Sequence, residues 1–136
     1  MIKLLEAIKA KFDATTALTS IFTKMWIGQA PDKEPLPVFV LTMISNTVDV
    51  NMKYTGGTPY VERVVIQFDT YTATAQQGLT AHDAIADAFH QAVLAVTTDV
   101  ALASLCTSGA VAMREDERTW KVFSVYEMTV QRQGTN

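Results

Sequence analysis

Cysteine is nearly missing from this chain. Cys106 stands alone among 136 residues, so no intramolecular disulfide can staple the fold, and synthesis in a reducing compartment is the plain expectation. Histidine is scarce too, with only His82 and His90 to serve as imidazole ligands or bases. Charged residues make up 18 %, and eleven Lys and Arg are outnumbered by fourteen Asp and Glu, giving a net charge of −3. With a pI near 5.2 and the basic residues scattered, nothing supports nucleic-acid binding as the main task. No segment approaches the roughly 20 apolar residues that a bilayer span needs. Lys3, Glu6, Lys9 and Lys11 interrupt the first apolar residues, so neither a signal peptide nor membrane association is expected.

What is plentiful is hydrophobic surface. At 49 % hydrophobic residues the chain excludes wholesale disorder. Residues 1–136 are expected to form one domain burying about two thirds of the unfolded surface. Leu5, Ile8 and Phe12 follow helical spacing and predict a first helix over Ile2–Asp13. Thr15-Thr16 would cap a second short helix carrying Leu18, Ile21 and Phe22. Three prolines within seven residues, Pro31, Pro35 and Pro37, then make a stiff non-helical connector. Val38–Val50 reads as a strand, apolar at both parities in its first half, so that both faces are expected to be covered there. Asn46–Asn51 turns polar and should leave the core. Gly56-Gly57 and Pro59 signal a turn, and Val61–Tyr71 alternates, with Val64, Ile66 and Phe68 facing one way and Arg63, Gln67 and Asp69 the other. Thr74–Thr80 reads as a polar loop and Leu79–Val96 as a helix whose stripe is Ala81, Ile85, Ala88, Phe89, Ala92 and Val96. A closing hairpin is expected from Gly109–Arg114, an acidic turn and Trp120–Arg132. The order α-β-β-α-β-β predicts an α+β domain with an antiparallel or mixed sheet and packed helices.

Chemistry-bearing constellations are sparse. Asp83, Asp87 and His90 stack on one helix face and could bind zinc, but that face lies opposite the apolar stripe and lacks a supporting shell; a solvated face is the simpler account. Cys106 has no base or cation in its local sequence and reads as a small buried hydrophobe. No serine lies in a Gly-x-Ser-x-Gly elbow, and Gly56-Gly57 lacks the remainder of a phosphate loop. Glu115-Asp116-Glu117, flanked by Arg114 and Arg118, admits a cation site or an interface patch but reads first as a solvated turn. Trp120, Phe123 and Tyr126 do not share one strand parity, so core packing accounts for them better than a base-stacking platform does. No catalytic residue, cofactor site or metal site is expected.

Taken together, the opening helix with Ala17-Leu18-Thr19-Ser20-Ile21-Phe22, the run Gln29-Ala30-Pro31…Leu36-Pro37-Val38-Phe39-Val40, Val64-Val65-Ile66-Gln67-Phe68-Asp69-Thr70-Tyr71 and Ala84-Ile85-Ala86-Asp87-Ala88 resemble the small tail-completion, or tail-terminator, proteins of long-tailed phages and gene-transfer particles. The chain departs from that pattern in lacking a glycine around Thr23-Lys24 and in having Val38, not an aromatic residue, after the connector proline. The resemblance implies a virion protein without an active site, made in the host cytoplasm. It would form a homo-oligomeric, commonly hexameric ring that caps the tail tube and meets head-neck connector proteins. DNA would pass through its lumen without specific binding, which an acidic balance permits. The expected contact residues are Lys53, Tyr54, Thr55, Gly56, Gly57 and Thr58 at one hairpin tip and Glu115, Asp116 and Glu117 at the other. The alternatives are a small α+β enzyme or ligand-binding domain with a pocket between sheet and helices, for which a buried polar cluster would speak, and a cellular adaptor that oligomerises through sheet edges.

Overall fold

The computed structural model describes residues 2–31, 33–48, 60–92, 94–96 and 99–132. Helix α1 (Ile2–Ala14) places Leu4, Ile8 and Phe12 on its buried face, and the short α2 (Thr16–Thr19) adds Leu18. The chain then forms β1 (Met25–Ile27), the proline connector with a cis Leu36–Pro37 peptide, β2 (Val38–Val48) and β3 (Tyr60–Thr72). Helix α3 (Ala75–Phe89) follows, and β4 (Ala95–Val96), β5 (Asp99–Arg114) and β6 (Trp120–Arg132) complete the described elements.

The strands form a six-stranded sheet in the order β1-β2-β3-β6-β5-β4. Only β1 and β2 run parallel, so the sheet is mixed and the fold is α+β, as the pattern predicts. The spine is β3 against β6, paired without irregularity from Tyr60↔Arg132 to Thr72↔Trp120. The hairpin expected between β2 and β3 is present through Val48↔Glu62; its tip, with Lys53 to Thr58, lies outside the described residues.

Period-two alternation sorts the sheet into two faces. Val64, Ile66 and Phe68 of β3 and Tyr126, Met128 and Val130 of β6 meet the three helices on the inner face. There Phe39 touches Phe12, Phe22 and Phe68, and Phe68 touches Phe89 and Tyr126, at ring-centroid separations of 5.0 to 5.5 Å. Both parities of early β2 are buried, as expected: Phe39 and Leu41 under the helices, Val38 and Val40 on the outer face beneath the connector.

Three boundaries differ from the sequence reading by more than two residues. Helix α3 starts at Ala75 because Thr74 caps it, its hydroxyl accepting from the Gln77 amide at 3.2 Å; Thr74 and Gln77 carry the Thr-x-x-Gln spacing of a capping box. The helix stops at Phe89, seven residues before the expected end, because His90 is extended and Gln91 adopts φ +59°. Ala92 and Val96 therefore fall outside it, and Val96 joins β4. Strand β5 begins at Asp99, ten residues before the expected start, and reaches β6 through three register shifts.

Candidate functional site

The sequence-predicted contact residues that the structure describes sit at the β5–β6 turn, where Glu115, Asp116 and Glu117 are all exposed. The flanking arginines organise the turn's backbone. Arg114 donates from Nε to the Asp116 carbonyl at 3.1 Å and from Nη2 to the Glu117 carbonyl at 2.7 Å. The Arg118 amide donates to Asp116 Oδ1 at 2.8 Å, and this bond is the main reason the Asp116 carboxyl lies below its ordinary pKa. The turn is a preformed acidic knob.

Opposite that knob lies the connector, and the two line a cleft of about 520 Å³ on the outer face of the sheet. Its floor is Val38, Val40, Asp69 and Tyr71. Period two puts Asp69 on the solvent side of β3, yet the connector leaves it only 6 % exposed. Gln67 Nε2 donates to Asp69 Oδ1 at 2.7 Å. Burial pushes the Tyr71 phenol above its ordinary pKa, with Lys121 opposing the rise and Asp69 and Glu115 adding to it.

A second polar cluster lies inside the molecule, and sequence reasoning missed it. His82 on α3 is 3 % exposed and Ser124 on β6 is 2 % exposed. His82 Nδ1 lies 2.8 Å from Ser124 Oγ, and Nε2 lies 2.8 Å from the Val122 carbonyl oxygen. A carbonyl only accepts, so Nε2 carries the proton and the Ser124 hydroxyl donates to Nδ1. Burial lowers the His82 pKa to about 4, outweighing the Val122 bond that raises it. A serine donating to an imidazole resembles part of a hydrolytic triad. Here the imidazole's other nitrogen is spent on a backbone carbonyl, and both side chains point away from the outer-face cleft. The one available hint was that His82 lies one residue from Ala81 in the apolar stripe.

The remaining candidates are dispersed. Asp83 and Asp87 are exposed on α3, but His90 lies just past its end in extended conformation, so the three do not share one helix face; His90 Nδ1 accepts the Cys106 amide at 3.1 Å, tying the helix end to β5. Among the described residues no three His, Cys, Asp or Glu side chains could hold a metal ion together. Cys106 is half-buried rather than fully buried, because it packs at the margin of the core with its thiol 3.4 Å from the Ser108 carbonyl. The core-packing account of the three aromatics holds for Tyr126; Trp120 and Phe123 are only half-buried, and Phe123 faces outward. Among the described residues no helix is long and apolar enough to cross a membrane.

Among the described residues the lateral ends of the sheet are sparsely covered. Strand β1 pairs three residues of β2 and β4 pairs two residues of β5. Ile44 beyond the β1 pairing is 52 % exposed, and Val111 and Met113 on β5 are each 46 % exposed.

No family model and no curated protein matches this chain. Among solved structures, it is similar to a chain of the "Virion of native gene transfer agent (GTA) particle", with a TM-score of 0.66 and 20 % identity over 93 % of this chain and 92 % of that one. At that identity the likeness is one of fold.

Proposed function

We propose that this chain is a structural subunit of a phage-like or gene-transfer particle, in the station of tail terminator: a ring that caps the tail tube and joins it to the head-neck complex. The observation that carries the reading is the near end-to-end likeness to a virion chain, reached separately from the sequence resemblance to tail-completion proteins. A single-domain subunit of this kind needs no active site. A head-to-tail contact between identical subunits closes into a ring when its rotation divides the circle. The two sparsely covered sheet ends, with Ile44 on one and Val111 and Met113 on the other, supply two different surfaces for such a contact. Unpaired strand edges favour association unless charge or proline blocks them, and the Thr42–Val48 and Thr107–Met113 stretches contain neither. Six subunits, a tail-tube ring below and neck proteins above complete the proposal, with DNA passing through an acidic protein's lumen.

The enzyme reading would draw on the His82–Ser124 cluster. Both groups are enclosed and committed to structural partners, which favours the particle subunit. Deleting the gene and examining lysates by electron microscopy tests the proposal. Overlong or unjoined tails beside filled heads are expected, and normal infectious particles would sink it.

A further inference from the structure

The outer-face cleft holds a carboxylate that the fold does not satisfy. Asp69 is 6 % exposed, yet its sole hydrogen bond among the described residues is the one that Oδ1 accepts from Gln67. Oδ2 has no partner among the described residues, and the Lys9–Asp13 ion pair lies elsewhere, on α1. A buried carboxyl group ordinarily has a counter-ion or a full set of hydrogen bonds, because burial strips it of water. Lys121 sits diagonally across the sheet but is directed over the Tyr71 ring, 5.9 Å from its centroid.

The surroundings specify what is missing. Among the described residues that line the cleft, Glu34, Asp69, Glu115 and Asp116 oppose a single cation, Lys33. Beside Asp69 the floor is Val38, Val40 and the Tyr71 ring, and the connector adds Leu36. A positive group on an apolar stem matches both features, because such side chains lay their methylenes on apolar surface while the head reaches a carboxylate. A metal ion fits poorly, since no three ligating side chains converge among the described residues.

We propose that this cleft is the receptor for a basic side chain, arginine or lysine, presented by another protein chain, with Asp69 as its buried anchor and the acidic turn as its electrostatic guide. The connector and the β5–β6 turn act as two jaws, so the acidic turn works as part of a socket and not as an isolated patch. This inference stands on the cleft alone and does not require the tail-terminator reading.

The test is a titration of the full chain, followed by amide NMR, with N-acetyl-arginine amide, N-acetyl-lysine amide, putrescine and the neutral isostere N-acetyl-citrulline amide. Saturable shifts at Val40, Asp69, Tyr71 and Thr119 are expected with the arginine or lysine derivative and not with citrulline. Asp69→Asn keeps an acceptor for Gln67 and should weaken that binding at least fivefold. Should that variant fail to fold, Glu34→Gln/Glu115→Gln at the rim, where Glu34 is half-buried and Glu115 exposed, should weaken it two- to threefold. Equal response to citrulline, no shifts in the cleft, or unchanged binding in the variants would overturn the proposal and leave Asp69 hydrated by water. Tighter binding of putrescine than of either amino-acid derivative would overturn the protein partner in favour of a free diamine.

Discussion

Gly78 on α3 lies so close to Val122 on β6 that a methyl group added there would overlap Val122 Cγ2 and sit 3.1 Å from Thr72 Oγ1. One turn later, His82 donates to the carbonyl of the same Val122, which also accepts from Thr70 Oγ1 at 3.2 Å. Helix and sheet are thus pressed together at one residue, by a missing side chain above and a hydrogen bond beside it.

Gly78→Ala is therefore expected to destabilise the protein despite alanine's better helix propensity. Overpacking costs about 1–3 kcal/mol, against about 1 kcal/mol gained in the helix. Val122 is β-branched and has little freedom to yield. Urea denaturation should show a lower midpoint for Gly78→Ala, and Val122→Ala in the same chain should recover part of the loss. A raised midpoint in the single variant would show that α3 stands further from the sheet.

Phe89 closes the aromatic chain on Phe68, with centroids 5.0 Å apart, and is fully buried. Phe89→Ala should cost about 3–5 kcal/mol. Exposed Asp87, two residues earlier, should tolerate alanine within about 0.5 kcal/mol. Similar denaturation midpoints for the two variants would contradict the helix phase.

His82 makes stability depend on pH in a defined direction. Its folded pKa of about 4 lies below the ordinary 6.5, so the unfolded chain takes up the proton first. The stability from the neutral, hydrogen-bonded imidazole is complete above pH 6.5 and falls as pH drops towards 4, by roughly 3 kcal/mol at about 1.36 kcal/mol per pH unit. His82→Gln should be less stable at pH 7 but show a shallower loss between pH 6.5 and 4. Identical slopes in paired denaturation series would mean that His82 is hydrated.

Assembly should separate from folding at the two hairpin tips. Deleting Lys53–Thr58, whose sequence is polar and glycine-rich, or replacing the exposed Glu115, Asp116 and Glu117 with lysine, is expected to leave the melting temperature within a few degrees. Incorporation into particles should drop in both. Normal particle yield from the deletion would remove the β2–β3 tip from the contact set, and normal yield from the lysine variant would do the same for the acidic turn.

Local pattern was enough for the elements whose burial follows one period. Leu5, Ile8 and Phe12 pointed to α1, although Leu4 takes the fully buried place and Leu5 is half-buried, and the alternation of Val64, Ile66 and Phe68 determined β3, because one buried face leaves a periodic trace in the chain. The double burial of early β2 was legible for the same reason, as Val38, Phe39, Val40 and Leu41 leave no polar parity. The start of α3 was also written locally, in Thr74 and Gln77, but composition alone reads those residues as loop. Its end was not, since the apolar spacing runs on through Ala92 and Val96. What stops the helix is tertiary: His90 reaches the Cys106 amide on β5, and Leu94 enters the core after the chain has turned. Asp69 and His82 were beyond local reading altogether. A lone Asp at a solvent parity and a lone His beside an apolar stripe look exposed until a connector folds over one and a strand supplies a serine and a carbonyl to the other. Periodicity records which face an element turns inward; only the packed fold decides what waits there, because burial of a polar group is settled by partners distant in the chain.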